Sequence, residues 1–278
     1  MSESAPETAP SSAQERLPPA GPSAIRRLRI ALGTWVAIEA MASSAAAALS
    51  GTEAAFAAIA QVDGRMHPTR PGSDLARVNQ EALGVRVPIH PSTWWVLQLA
   101  QRVHTFTQGV FDPCVPERAG RLADLELSGC SDPAPWALCH APLSLDLGGI
   151  AKGYAIDCAI DALMARGCVA GLVNAGGDLR VFGARREPIL LRHTDGTFRP
   201  LELENTALAV SDIGARRRPS EHRGYYRRSG SGGRPPRRYA AVLAREAAVA
   251  DALTKCVLLA PTDCATRALQ ELGGREAG

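Results

Sequence analysis

Asp251, Thr254 and Lys255, in the run Val-Ala-Asp-Ala-Leu-Thr-Lys, bring a carboxylate, a hydroxyl and an ammonium within four residues. On a helix, positions three and four apart share a face. A carboxylate with a hydroxyl oxygen suits a hard cation such as Mg2+, which keeps its waters and binds substrate phosphates. The same spacing also describes a surface Asp–Lys pair worth about 0.2–0.5 kcal/mol. A second cluster lies between Leu143 and Gly183, where Gly148 and Gly149 separate an apolar strand from a helix that carries Lys152. Unpaired N–H groups at a helix start attract anions, and glycines let a phosphate approach the main chain. Lys152 adds a point charge to the same anion. Asp146 stands before the glycine pair, positioned to hold a loop amide or a ribose. Asn174, Gly176, Gly177 and Asp178 form a second polar turn between strands, a composition that turn chemistry alone also explains. Neither GxxxxGK[ST] nor GxGxxG occurs, so no Walker loop or dinucleotide fingerprint applies.

Of 31 basic residues, Lys152 and Lys255 are the only lysines. The skew toward arginine has the character of coding bias. The two exceptions are positions where a compact ammonium differs chemically from a planar fork.

The elements that must position these groups follow from periodicity. Leu28–Ala40 reads as one strand, with β-branched Ile30, Val36 and Ile38. Ser50 and Glu53 have capping-box spacing, and Phe56, Ile59, Val62 and Met66 recur as on a helix. Another helix opens at Ser92 or Thr93, aligns Trp95, Leu99, Val103 and Phe106 as core, and ends at Gly109. Ile150 to Arg166 reads as a helix stopped by Gly167. Leu190–Leu203, Ala207–Ser211 and Tyr239–Ala244 read as strands, and helices follow near Glu246–Ala260 and Thr262–Leu272. Strands and helices interleave without a βαβ rhythm, which predicts a single mixed α/β domain.

At 278 residues the chain is long enough for a buried core, and no run has the ~18 apolar residues of a membrane span. Seven scattered cysteines without a short-spaced pair read as buried thiols in a reducing compartment. Cys139-His140 has no second pair to complete a metal site. Residues 1–24 have the Pro/Ser/Ala/Glu composition of a disordered tail. Arg26-Arg27 before Leu28–Ile38 resembles a twin-arginine leader, but the apolar stretch is short, Glu39 interrupts it and Gly33-Thr34 lies inside it, which favours a cytoplasmic protein, with a periplasmic one as the alternative. The net charge of +3 conceals one basic segment, 216–238, with nine arginines and a single acid, Glu221. With its GSGG and Pro235-Pro236 it reads as an exposed flexible loop. Its arginines, Tyr225 and Tyr226 have the composition to contact nucleic acid, although a solvated loop is the simpler account.

The segment DLGGIAKGYAID followed by LVNAGGDLRVFG resembles the signature of the ApbE-like flavin transferases, the FAD:protein FMN transferases. Four further stretches match in order: Leu32-Gly33-Thr34-Trp35, the His67–Asn79 run with Ser73, Asp74 and Asn79, Gly109–Pro113, and Ala250–Thr254. The resemblance spans about 27–272. It implies an ApbE-like domain, a Mg2+-dependent cleavage of FAD with release of AMP, and attachment of FMN to a Thr or Ser of an acceptor protein. It implies Ala151 (main-chain oxygen), Asp251 and Thr254 as metal ligands and Lys152 and Asp251 as catalytic. Ser73, Asp74, Asn79, Asp146, Gly148, Gly149, Lys152, Asn174, Gly177 and Asp178 would hold the FAD. Two departures stand out. Many members place Thr four residues after the Asp, where this chain has Lys255. The usual His-x-x-Asp-Pro-x-x-Gly is replaced by GYYRRSGSGGRPPRRY, with His222 upstream of it. Hydrolysis of FAD, or flavin binding without transfer, is therefore the alternative expectation.

Overall fold

The computed structural model describes residues 23–129, 132–193, 195–212 and 237–277. The tail (apart from Ser23 and Ala24), His222 and most of the arginine-rich segment lie outside them. The chain forms a seven-stranded sheet in the order β1 (Ser23–Ala31), β2 (Thr34–Ala42), β6 (Ala170–Ala175), β7 (Asp178–Gly183), β10 (Ala207–Asp212), β11 (Tyr239–Ala244) and β12 (Arg275–Glu276). Its neighbours pair antiparallel throughout, as the missing βαβ rhythm predicts. A small sheet of β3 (Val87–Pro88), β5 (Trp136–Cys139) and β4 (Leu125–Leu127) stands apart from it, as does the hairpin of β8 (Glu187–Arg192) and β9 (Phe198–Leu203).

Alternation along the strands gives the large sheet two buried faces. Ile38, Val173, Ala209 and Val242 join the main core, with helices α1 (Ala45–Met66), α4 (Ala151–Ala165) and α5 (Ala247–Leu259). Leu172, Leu179, Val181 and Leu243 join a second core closed by Leu191 of β8 and Leu203 of β9. Helices α2 (Asp74–Glu81), α3 (Pro91–Phe106) and α6 (Thr262–Glu271) complete the domain.

Several boundaries differ from expectation. Leu28–Ala40 is not one strand but parts of two. Leu32 and Gly33 have φ of 52° and 69°, the pair of positive values that a tight type I′ hairpin requires. Ser23 and Ala24 are strand residues, and Arg26 and Arg27 lie in β1, an edge strand whose charges discourage further pairing. Leu190–Leu203 is likewise a hairpin, turning through Asp195 and Gly196. Helix α1 begins before Ser50 because the alanines from Ala45 are strong helix formers, and Ser44 caps it by accepting from Ala47 N at 3.2 Å. Glu53 instead binds Arg29 at 2.6 Å. By length and hydropathy α1 is the one described helix able to cross a membrane, yet its Ala55, Phe56, Ile59 and Val62 are buried in the main core. Helix α3 starts at Pro91, with His90 accepting from Ser92 N. Trp95 is 37% exposed rather than core, and it stacks on Tyr154 of α4 at 5.1 Å.

Candidate active site

The glycine turn before α4 is tighter than the sequence suggests. Leu147 O accepts from Ile150 N at 2.9 Å and from Ala151 N at 2.7 Å. Asp146 Oδ1 accepts from Gly148 N at 3.1 Å, so Asp146 holds a loop amide. Gly153 N donates across to Asp251 Oδ2 at 3.1 Å. The amides of Gly148, Ile150, Ala151 and Gly153 are thus bonded inside the protein, and Gly149 is buried. Positive charge at this turn comes instead from Lys152, whose side chain is 29% exposed and whose Nζ lies 2.6 Å from Asp178 Oδ2.

Asp178 opens β7 directly after the Gly176-Gly177 turn, where φ is 64° and 103°. Asn174 accepts from Gly177 N at 3.0 Å and so closes its own turn. Gly176 is required for a second reason: a Cβ there would lie 2.6 Å from Thr34 Oγ1. That contact seats the Gly33-Thr34 hairpin against the site. Asp178 is 2% exposed, and its Oδ1 accepts from Val210 N of β10 at 2.9 Å. Burial pushes its carboxyl up from the ordinary range, the Lys152 ammonium pulls it down, and the nearby Asp251 raises it again.

Helix α5 supplies the facing wall. Asp251 and Thr254 are fully buried and Lys255 is 5% exposed. The Lys255 ammonium binds Asp251 Oδ1 directly and donates to the Asp251 carbonyl at 3.1 Å. Thr254 turns away from the carboxylate. Its hydroxyl donates to the Asp251 carbonyl at 2.7 Å and meets Ser211 Oγ at 2.8 Å.

Two residues missed from the sequence lock α4 to α5. Glu246 supplies no side-chain cap to α5. Asp157 of α4 does so, accepting from Ala247 N at 2.9 Å and Ala248 N at 2.8 Å while Arg180 binds it at 2.6 Å. A carboxylate at a helix N-terminus satisfies orphan donors and meets the positive end of the dipole. Gly153 allows the crossing, since a Cβ there would lie 2.2 Å from Ala247 O. A cap contributed by another helix leaves no local sequence pattern, so only the Gly153–Asp157 pairing within the signature hinted at it.

The remaining motif residues brace this centre from outside. Ser73 caps α2, accepting from Ala76 N at 3.0 Å and donating to His67 O at 2.6 Å. Asp74 is buried and binds His90 N, Thr93 Oγ1 and Arg77. Asn79 clamps Leu145 in both directions, donating to its carbonyl at 2.9 Å and accepting from its amide at 2.7 Å. Pro113 O accepts from Asp146 N at 2.9 Å, and Val115 N donates to Ser144 O at 2.8 Å. The residues just before the glycine turn are therefore held from both sides. Ser73, Asp74 and Asn79 point their polar atoms at the frame, whereas Lys152–Asp178 and Lys255–Asp251 form two ion pairs near enough for Asp251 and Lys255 to act on the Asp178 charge.

The ApbE family model matches residues 32–125 and 117–277. No curated protein sequence matches the chain. Among solved structures, the flavin transferase ApbE of Vibrio cholerae superposes with a TM-score of 0.73 at 18% identity, over 91% of this chain and 92% of that one. The flavinyl transferase ApbE of Pseudomonas stutzeri gives 0.74 at 18%, over 94% and 93%. The ApbE protein of Thermotoga maritima gives 0.72 at 21%, over 89% and 87%. With the family model spanning almost the whole described fold, the chain belongs to the ApbE family.

Proposed function

We propose that this protein is an enzyme that cleaves the diphosphate of FAD, releases AMP and attaches FMN through a phosphoester to a Thr or Ser of an acceptor protein. The observation that carries the reading is the two ion pairs, Lys152–Asp178 and Lys255–Asp251, set where the family signature enters α4 and faces α5. In the transfer, an acceptor hydroxyl oxygen forms a bond to the FMN phosphorus while the bond from that phosphorus to the bridging oxygen breaks. The bridging oxygen and its electron pair leave with AMP, and the hydroxyl proton passes to solvent. Such transition states are stabilised by charge fixed in advance rather than by covalent help from the protein. Lys152 would do this. Its side chain is 29% exposed, and the Asp178 carboxylate holds the ammonium at 2.6 Å.

Magnesium, implied by the resemblance, would sit on Ala151, Asp251 and Thr254 and neutralise phosphate charge. The donors present do not fit it. Asp251 gives one oxygen to the Lys255 ammonium and the other to Gly153 N–H, and Thr254 is bonded away from the carboxylate.

Hydrolysis is the second reading, favoured by the replacement of His-x-x-Asp-Pro by an arginine-rich stretch. An arginine cannot serve as a base at neutral pH, so this stretch offers no base to an acceptor hydroxyl, and water competes with it as the nucleophile. Incubation with FAD and Thr/Ser-containing acceptor peptides separates the readings. A covalent flavin adduct with equimolar AMP supports transfer, free FMN with AMP supports hydrolysis, and unchanged FAD refutes both.

A further inference from the structure

The family pattern places a hydroxyl four residues after the α5 aspartate, on the same face of the helix, where it can share a cation with the carboxylate. In this chain that position is Lys255, and the residue one earlier, Thr254, is rotated by about 100° around the axis. The structure shows the outcome. The Lys255 side chain, 6% exposed, lies against the fully buried Asp251 carboxylate, while Thr254 is tied to the Asp251 carbonyl and Ser211. A positive charge belonging to the chain thus stands on the carboxylate that would otherwise receive a divalent ion.

The surroundings fit a permanent cation. Lys152 and Lys255 are the only lysines in the sequence, and each pairs with a buried aspartate, Asp178 or Asp251. The four groups sum to zero formal charge. A metal bound to Asp251 would have to displace an ammonium that is already desolvated and would leave it beside a second cation. Among the described residues the Lys255 ammonium has two acceptors, both on Asp251, so one of its three N–H donors remains for a phosphate oxygen.

We propose that Lys255 is the built-in cation of this site, replacing the divalent metal on Asp251, and that the chain binds the diphosphate of its substrate without magnesium. The proposal rests on the FAD reading for the identity of the diphosphate, but not for the state of Asp251. The test uses the full chain and two independent readouts. Mn2+ alone is titrated and followed by its electron paramagnetic resonance signal. FAD binding is followed by flavin fluorescence, in EDTA and in excess Mg2+. The wild-type chain is expected to take up no Mn2+ and to bind FAD with the same affinity, within about twofold, in both media. Lys255→Thr restores the hydroxyl at the metal-facing position. It is expected to take up Mn2+ and to lose FAD affinity about tenfold or more when EDTA is added. Uptake of one Mn2+ by the wild-type chain, or a comparable loss of FAD affinity in EDTA, overturns the proposal even if the variant fails to fold. A wild-type chain that takes up no Mn2+ and binds no FAD upholds Lys255 as the Asp251 cation and refutes the FAD reading instead.

Discussion

Replacing Gly153 by alanine should disconnect the site without touching any charged group in it. The added Cβ would lie 2.2 Å from Ala247 O, 2.5 Å from its carbon and 2.7 Å from Ala248 N, all of them backbone atoms that no rotamer change can move. Relief requires α4 and α5 to separate by about 1 Å, since overpacked interiors respond by backbone shifts. That separation stretches the 3.1 Å bond from Gly153 N to Asp251 and the 2.9 and 2.8 Å caps from Asp157 to Ala247 and Ala248. Overpacking costs about 1–3 kcal/mol, and weakening a hydrogen bond to a charged group adds about 1.5–3 kcal/mol. A total near 3–5 kcal/mol lowers the midpoint of a domain this size by about 10 °C. Thermal unfolding by circular dichroism reads the first effect, and FAD affinity measured well below the new midpoint reads the second. A variant within a degree or two of wild type, with unchanged FAD affinity, would show that the α4–α5 crossing does not set the site geometry.

Three further outcomes follow from the same geometry. Lys152→Met should weaken FAD binding by about 10- to 100-fold in titration calorimetry, the worth of a charge-assisted bond to phosphate; Lys152→Arg should restore little of it, because a planar fork cannot reproduce the ammonium contact to Asp178. Asn79→Ala leaves the Leu145 amide and carbonyl without their clamp and should cost about 1–3 kcal/mol in denaturant unfolding, and an unchanged midpoint would contradict the bracing role. Burial raises the Asp157 carboxyl above its ordinary value, against the opposing pull of the α5 amides and Arg180. A raised acid binds its proton in the folded state before the unfolded state does, so folding gains as the pH falls through that window. The stability of wild type relative to Asp157→Asn should therefore rise as the pH falls from neutral toward the ordinary aspartate value of about 3.9, and a relative fall would mean that the carboxyl is held down instead.

Local chemistry made much of this fold legible. The α4 helix, its stop at Gly167, strands β10 and β11, and helices α5 and α6 follow from periodicity and glycine placement, within a residue or two. The five ordered motifs pointed to the family before any coordinates did. What failed was information that is not local. Leu32-Gly33 could be read as strand interior because a bulky residue at positive φ is rare, and only the pairing of β1 with β2 reveals the turn. Trp95 continues the apolar stripe of Leu99 and Val103, which are buried, yet near the start of α3 it is 37% exposed and stacks on Tyr154. The glycine pair suggested an open anion cradle, but where four amides point depends on Leu147, Asp146 and Asp251. Lys255 was visible as a departure from the family pattern, while its contact with the Asp251 carboxylate required the α5 backbone.

The central claim is that the lysine–aspartate group between α4 and α5 breaks the diphosphate of FAD. Chromatographic quantification of AMP from FAD, for wild type beside Lys152→Met and with acceptor protein supplied, tests it most directly. The account predicts one AMP for each FMN released or attached by wild type, and a rate at least about tenfold lower for the variant. Intact FAD after prolonged incubation with wild type, or equal AMP from both proteins, would contradict it.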